Sequence, residues 1–248
     1  VVRLSVNINK VATLRNSRGG SAPRVLDAVD VCVAAGAQGI TVHPRADRRH
    51  ITPEDVREIA GALAGRRPGI EFNVEGDPRP ELLALVLDVR PDQCTLVPVV
   101  PGEITSQAGW GPGPASAQLN DAVRQLKAAR IRVSLFVDPL RASIEFAAAA
   151  GADRVELYTE PFARAFARAR PEGERSFATY AEAARAAHAA GLGVNAGHDL
   201  DLDNLTLFRM LPHLDEVSIG HAIISRAVFV GLDRVVREYL AVLAGAGL

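Results

Sequence analysis

Lysine is almost missing from this chain. Only Lys10 and Lys127 occur, and the other 26 of the 28 basic side chains are arginines. A Schiff-base enzyme needs a lysine aimed at its substrate. Lys127 falls in a helical stretch, which leaves Lys10 as the one candidate. Cysteine is as scarce. Cys32 and Cys94 sit singly in apolar runs without metal-ligand spacing, so they read as inert core residues and not as a disulfide or zinc framework. Net charge is missing too, at -1, which removes any global field for nucleic acid or an anionic membrane and makes any anion site local. No run is long and apolar enough to span a membrane, and the opening "VVRLSVNINK" has no signal-peptide core. A soluble, reduced, cytoplasmic setting is expected. The six histidines show neither HxH nor HExxH spacing, which disfavours a zinc hydrolase.

What is present is a repeat. An Ala-rich helical run, often closed by glycine, leads into a short β-rich run in "VAAGAQGITVH", "KAARIRVSLFVD", "AAAAGADRVELYTE" and "HAAGLGVNAGH". Gly36, Gly151 and Gly191 fall where a helix end wants a left-handed residue. Eight β-runs can be counted, near Leu4–Ile8, Gly39–His43, Ile70–Val74, Gln93–Val97, Arg132–Val137, Arg154–Tyr158, Gly193–Asn195 and Glu216–Ile219. Strands alternating with helices predict a parallel sheet, and eight units predict a closed α/β barrel. No linker divides the 248 residues, so one domain over 1–248 is expected.

Alternation within the strands locates a site. Residues two apart share a face. One face is apolar throughout (Val6, Ile8, Ile40, Val42, Phe72, Val133, Leu135, Val155, Leu157, Val194, Val217, Ile219) and suits the layer beneath the helices. The other carries Asn7, Asn9, Thr41, His43, Glu71, Asn73, Thr95, Ser134, Asp138, Glu156, Asn195 and Ser218 and would face the barrel axis. Barrel interiors are normally filled with branched apolar side chains. A polar interior has to be either an internally satisfied network or a deep polar ligand site, and a dozen polar residues favour the second. Three long segments follow strands one, four and six: "NKVATLRNSRGGS", Pro98–Ala117 and Thr159–Ser176. They are candidate substrate loops or lids.

The chemistry-bearing residues cluster at strand ends. "SIGHAIISR" puts Gly220 and His221 between the last strand and a helix start, and "VNAGHD" does the same with His198 and Asp199 one unit earlier. Free N–H groups at a helix start and the positive dipole end favour a phosphate there. "ITVHPRADRRH" follows the second strand with His43, Arg45 and His50, a second anion site, and Arg18 could supplement either. Glu71 and Glu156, inward carboxylates, with His43 and His198 supply proton carriers for multistep carbonyl chemistry.

Taken together, "VNINKVATLRNSRG", "GITVHPRADRRHIT", "LVPVVPGEIT", "VSLFVD", "VNAGHDL" and "IGHAIISRAV" resemble the pyridoxine 5'-phosphate synthase family, in the family's order from residue 4 to about 235. The resemblance implies a (β/α)8 TIM barrel with additional short helices, assembled as a homo-octamer built from dimers. It implies condensation of 1-deoxy-D-xylulose 5-phosphate with 3-amino-2-oxopropyl phosphate to pyridoxine 5'-phosphate, phosphate and water, without metal or organic cofactor. By motif, His43 and Glu71 would accept protons, His198 would donate one and Glu156 would stabilise the transition state. Asn7, Arg18, Asp199, Gly220 and His221 would hold the aminoketone phosphate. Arg45, His50 and Thr105, with Asn9 and Lys10, would hold the sugar phosphate. Asn9-Lys10 stand where many members carry Asp-His, and Asp199 where some carry glycine. A sugar-phosphate aldolase using Lys10 or a metal, and a non-catalytic phosphometabolite-binding barrel, are the alternatives.

Overall fold

A parallel sheet must cover both faces, and closing on itself does half of this. The computed structural model, which describes residues 1–67, 69–98, 108–113 and 116–246, is such a closed barrel. Its strands are β1 (Arg3–Asn7), β2 (Gly39–Val42), β3 (Glu71–Gly76), β4 (Gln93–Leu96), β5 (Arg132–Val137), β6 (Arg154–Leu157), β7 (Gly193–Ala196) and β8 (Leu214–Ile219). Each pairs in parallel with the next, and β8 pairs back onto β1. Helices α1 (Asn9–Asn16) and α2 (Val25–Ala34) follow β1, α3 (Pro53–Leu63) follows β2, and α4 (Pro80–Val89) follows β3. Then come α5 (Ser116–Ala128) and α6 (Arg141–Ala149), the pair α7 (Glu160–Arg168) and α8 (Arg170–Ala189), α9 (Leu202–Phe208), and finally α10 (His221–Val230) and α11 (Leu232–Leu243). The chain is a (β/α)8 barrel with extra helices after β1, β6 and β8.

Local chemistry sets the ends of these elements. Thr52 and Asp55 cap α3 reciprocally, with Pro53 in the first turn, and Asp201 and Asn204 do the same for α9. Gly36, Gly151 and Gly191 adopt φ of 104°, 83° and 79° just past their helices. Two stretches read from sequence as long loops are largely helical. The first holds α1. The second holds α7 and the start of α8, because Phe162 packs among Phe166, Phe177, Tyr180 and Phe208, with a ring-centroid distance of 4.9 Å to Phe208. Most of the Pro98–Ala117 segment lies outside the described residues. Within it, Trp110 is anchored, its indole N–H donating to Leu96 O at 2.9 Å.

The two strand faces divide as the alternation requires. Val6, Ile40, Phe72, Val133, Leu135, Val155, Val194 and Val217 are fully buried between barrel and helices. Burial of such a side chain contributes about 1.5–3 kcal/mol. The inward face is polar from the bottom upward. At the N-terminal end, Arg3 donates to Glu71 Oε2 at 2.9 Å. Arg132 Nη2 stands 2.5 Å from the same oxygen, an ion contact without the alignment of a hydrogen bond. Glu216 lies 3.9 Å from Arg3 Nε. Above them runs a ladder: Ser5 and Thr41 hydroxyls at 2.7 Å, Thr95 donating to Asn73 at 3.1 Å, and Arg154 donating to Asn195 at 3.0 Å.

β3 starts and ends later than the sequence suggested, reaching Gly76, so its inward residues are Glu71, Asn73 and Glu75. Residues 71 and 75 are then separated by about 13 Å along the strand. Glu71 belongs to the ion cluster closing the barrel's lower end. Glu71→Gln should therefore behave as a stability variant, since removing one partner of a buried ion pair costs about 3 kcal/mol. We expect a thermal midpoint lowered by about 6–10 °C with turnover largely kept at low temperature. Loss of turnover in a variant of unchanged midpoint would contradict this placement.

Candidate active site

The C-terminal mouth of the barrel holds a cleft of about 840 Å³ of open space. β1 contributes Asn7, and the first turn of α1 contributes Asn9 and Lys10. His43, Arg45 and His50 come from the segment after β2, Glu75 from β3, Glu156 from β6, and His198 from the turn after β7. Ser218, Gly220 and His221 close the ring at the junction of β8 and α10. Of the residues anticipated from sequence, the structure thus gathers Asn7, Asn9, Lys10, His43, Arg45, His50, Glu156, His198, Gly220 and His221. Asp199 stands behind His198. Arg18 is exposed and lies outside the cleft wall, Glu71 sits at the opposite end of the barrel, and Thr105 lies outside the described residues. Glu75 is the carboxylate that sequence reading missed. Its signal was the same two-residue alternation, carried one step beyond the expected end of β3.

Three asparagine contacts set the upper wall. Asn7 Nδ2 donates to Glu75 Oε2 at 3.3 Å, while Asn7 Oδ1 accepts from the Asn9 backbone N–H at 3.1 Å. Asn9 Oδ1 in turn accepts from the His43 backbone N–H at 2.9 Å. This last bond requires only an acceptor at position 9, so asparagine serves it as an aspartate would. Glycine at 220 answers to the neighbouring strand: a Cβ there would lie 2.8 Å from Asn7 O. At Gly197 a Cβ would meet Ser218 O at 1.9 Å. These close approaches bring β7, β8 and β1 together beneath the start of α10, where Gly220 and His221 line the cleft.

The electrostatics fall into two halves. His43 and His50, ring centroids 6.1 Å apart, are both buried. Burial, then His50, Arg45 and Arg79, depress His43 to about 3. Burial and then Arg45 depress His50 to about 4. Both imidazoles are neutral at pH 7 in a cation-rich corner, and a phosphate dianion would offset that field. On the other side, burial and then Glu156 push Glu75 well above the usual carboxylate range. Burial lifts Glu156 to about 7, against the pull of His198. His198 is raised in spite of burial, because its Nδ1 is 2.8 Å from Asp199 Oδ2 and Glu156 adds to that charge. The cleft therefore holds imidazoles and carboxylates shifted by their surroundings, with Glu156 poised near neutrality.

The family model of pyridoxal phosphate biosynthesis protein PdxJ matches residues 4–245. The chain belongs to the PdxJ family. It is 48% identical over 244 residues to the pyridoxine 5'-phosphate synthase of Christiangramia forsetii, covering 98% of this chain and 100% of the relative. It is 50% identical over 240 residues to the synthase of Bacteroides fragilis, covering 96% and 98%. Among solved structures it is similar in fold to 3-hexulose-6-phosphate synthase from Salmonella typhimurium, with a TM-score of 0.67 at 15% identity over 99% of this chain and 100% of that one. Thiamine phosphate pyrophosphorylase from Pyrococcus furiosus gives a TM-score of 0.64 at 14% identity, over 98% and 96%. These last two speak for the barrel alone.

In this PdxJ-family barrel the raised Glu156 has a consequence for stability. A carboxyl that is harder to ionise folded than unfolded binds its proton more tightly in the native state, so stability falls as pH rises from the ordinary 4.5 through about 7. Glu156→Gln removes that loss. The variant should gain on wild type across this window, by on the order of 3 kcal/mol at pH 8. Urea unfolding at pH 5 and pH 8 measures the difference, and a gap independent of pH would contradict it.

Proposed function

We propose that this PdxJ-family chain is a pyridoxine 5'-phosphate synthase, joining 1-deoxy-D-xylulose 5-phosphate to 3-amino-2-oxopropyl phosphate in vitamin B6 biosynthesis. The observation that carries the reading is one cleft lined by Glu75, Glu156, His43 and His198 together with Lys10, Arg45 and the Gly220-His221 start of α10. Two phosphorylated substrates need two anion sites. Arg45 and His50, with Lys10 beside them, suit the sugar phosphate. The N-terminus of α10, with Gly220, His221 and Asn7, suits the aminoketone phosphate.

The chemistry then falls to the chain's own side chains. The substrate amine attacks the sugar ketone, and loss of water gives an imine between the two substrates. Glu75 takes over the role first read onto Glu71, removing a proton from the carbon beside the imine, with His43 as a second acceptor. His198, its Nδ1 hydrogen-bonded to Asp199, donates to departing oxygen. Glu156, poised near neutrality, stabilises the positive charge that develops on nitrogen while ionised. Loss of phosphate, aldol-type closure and dehydration complete the aromatic ring. No helix among the described residues is long and apolar enough to cross a membrane. Val228 and Phe229 on α10, 72% and 86% exposed, support assembly with further copies, for which the family resemblance implies a homo-octamer.

Incubation with both phosphates should give pyridoxine phosphate absorbance, and either substrate alone should give none. Glu75→Gln should lower turnover about 10²–10⁴-fold while both phosphates still bind. Near-normal turnover in that variant would remove the assigned role.

Lys10 lines the cleft, so the aldolase reading has a specific nucleophile to test. In the synthase the imine joins two substrates and leaves the enzyme unmodified. Borohydride with the sugar phosphate should produce no adduct on Lys10 by mass spectrometry, and a stable adduct would establish the aldolase.

A further inference from the structure

Viewed down the axis, the inward strand positions are nearly all polar or glycine. The tiers run Arg3, Ser5 and Asn7 on β1, Glu71, Asn73 and Glu75 on β3, and Glu216 and Ser218 on β8. The exceptions are three and adjacent: Val97 just past β4, Phe136 on β5 and Tyr158 just past β6. They form a buried apolar cluster separate from the main core. The rings of Phe136 and Tyr158 are 5.5 Å apart and tilted by 55°. Val97 and Phe136 line the cleft and are the apolar members of its described wall. The patch is held firmly. The Val97 N–H donates to Gly76 O at 2.9 Å, Phe136 O accepts from the Trp110 N–H at 2.7 Å, and Tyr158 O accepts from the Tyr180 hydroxyl at 2.6 Å.

Val97 and Phe136 are buried but for the small apolar face they turn to the cleft, and only an apolar group covers that face without desolvating a polar one. Neither proposed substrate has more than one apolar group to offer, and that group is the methyl of the 1-deoxy sugar. The methyl is bonded to the carbonyl carbon that forms the imine. Phe136 pairs in register with Glu156, so a methyl seated on the patch holds that carbon beside the cleft's proton carriers. We propose that Val97 and Phe136, backed by the Tyr158 ring, form the subsite for the sugar's methyl group and set the preference for a 1-deoxy ketose phosphate over its 1-hydroxy counterpart. This rests on the synthase reading. A hydroxymethyl group seated on Val97 and Phe136 would bury an O–H against carbon atoms that offer it no hydrogen bond, and an apolar pocket rejects an added hydroxyl by about 10².

The test compares 1-deoxy-D-xylulose 5-phosphate with D-xylulose 5-phosphate, each with the aminoketone phosphate, following phosphate release and pyridine product. Wild type should prefer the deoxy sugar by about 10² in kcat/KM. Val97→Thr keeps the shape and adds a hydroxyl, and it should shrink this preference about tenfold. Phe136→Leu, still apolar, should lower both rates and leave the ratio within about threefold. Calorimetric binding of the two sugars to each protein gives the same comparison for a variant that folds but does not turn over. Equal losses on both sugars in Val97→Thr, or a wild type without preference, would overturn the subsite while leaving the synthase intact. A wild type that makes no pyridoxine phosphate from the deoxy sugar would overturn the synthase reading, and the subsite with it.

Discussion

A polar group sealed inside a barrel must find a partner, because leaving it unpaired costs several times what a hydrogen bond gains. This protein fills most of its barrel axis with polar groups, and the arrangement of the molecule follows from how they are paired. At the bottom, Glu71 and Glu216 are held among Arg3, Arg132 and Arg154. In the middle, hydroxyl and amide side chains bond from strand to strand. At the top the column opens into a cleft, where His43 Nε2, His50 Nδ1 and Ser218 Oγ are buried without a hydrogen-bond partner among the described residues, while lower down Ser134 Oγ, Glu71 Oε1 and Glu216 Oε2 also lack one. The largely paired network and the ligand site are successive storeys of one column.

The upper storey gains its character from burial acting on groups of opposite sign. Desolvation disfavours charge of either kind, so it lowers the two imidazoles after β2 and raises the two carboxylates on β3 and β6. Neighbouring charges then decide the exceptions. His198 is raised above its ordinary value, because Asp199 is bonded to it and Glu156 adds to that charge. The result is a cavity with basic and acidic carriers available together at neutral pH.

Precision at this mouth comes from backbone contacts more than from side-chain bulk. Asn7 and Asn9 tie the start of α1 to Glu75 and to the end of β2, so three strands share one small hydrogen-bonded unit. Gly197 and Gly220 let β7, β8 and β1 approach to distances that any Cβ would forbid. Both glycines were visible in sequence as strand-end signals for a ligand. In the fold their first duty is to the neighbouring strand, and the opening toward an anion follows from it.

The sequence by itself determined the barrel and most of its site. Eight βα units, a two-residue alternation and the strand-end motifs are local properties, readable because side-chain direction in a strand depends on position alone. The alternation turned His43 and Glu156 inward and the strand-end motif pointed to the Gly220-His221 junction, and all four residues line the cleft. Alternation could not decide between Glu71 and Glu75, since both lie on the inward face and differ only in height along the axis. Height is fixed by where β3 begins and by its register against β2 and β4, which are long-range hydrogen bonds. Nor could the segments after β1 and β6 be told from loops, because the aromatic packing around Phe162 joins residues from α7, α8 and α9. Facing direction is a property of the chain, whereas depth and packing partners exist only once the barrel has closed.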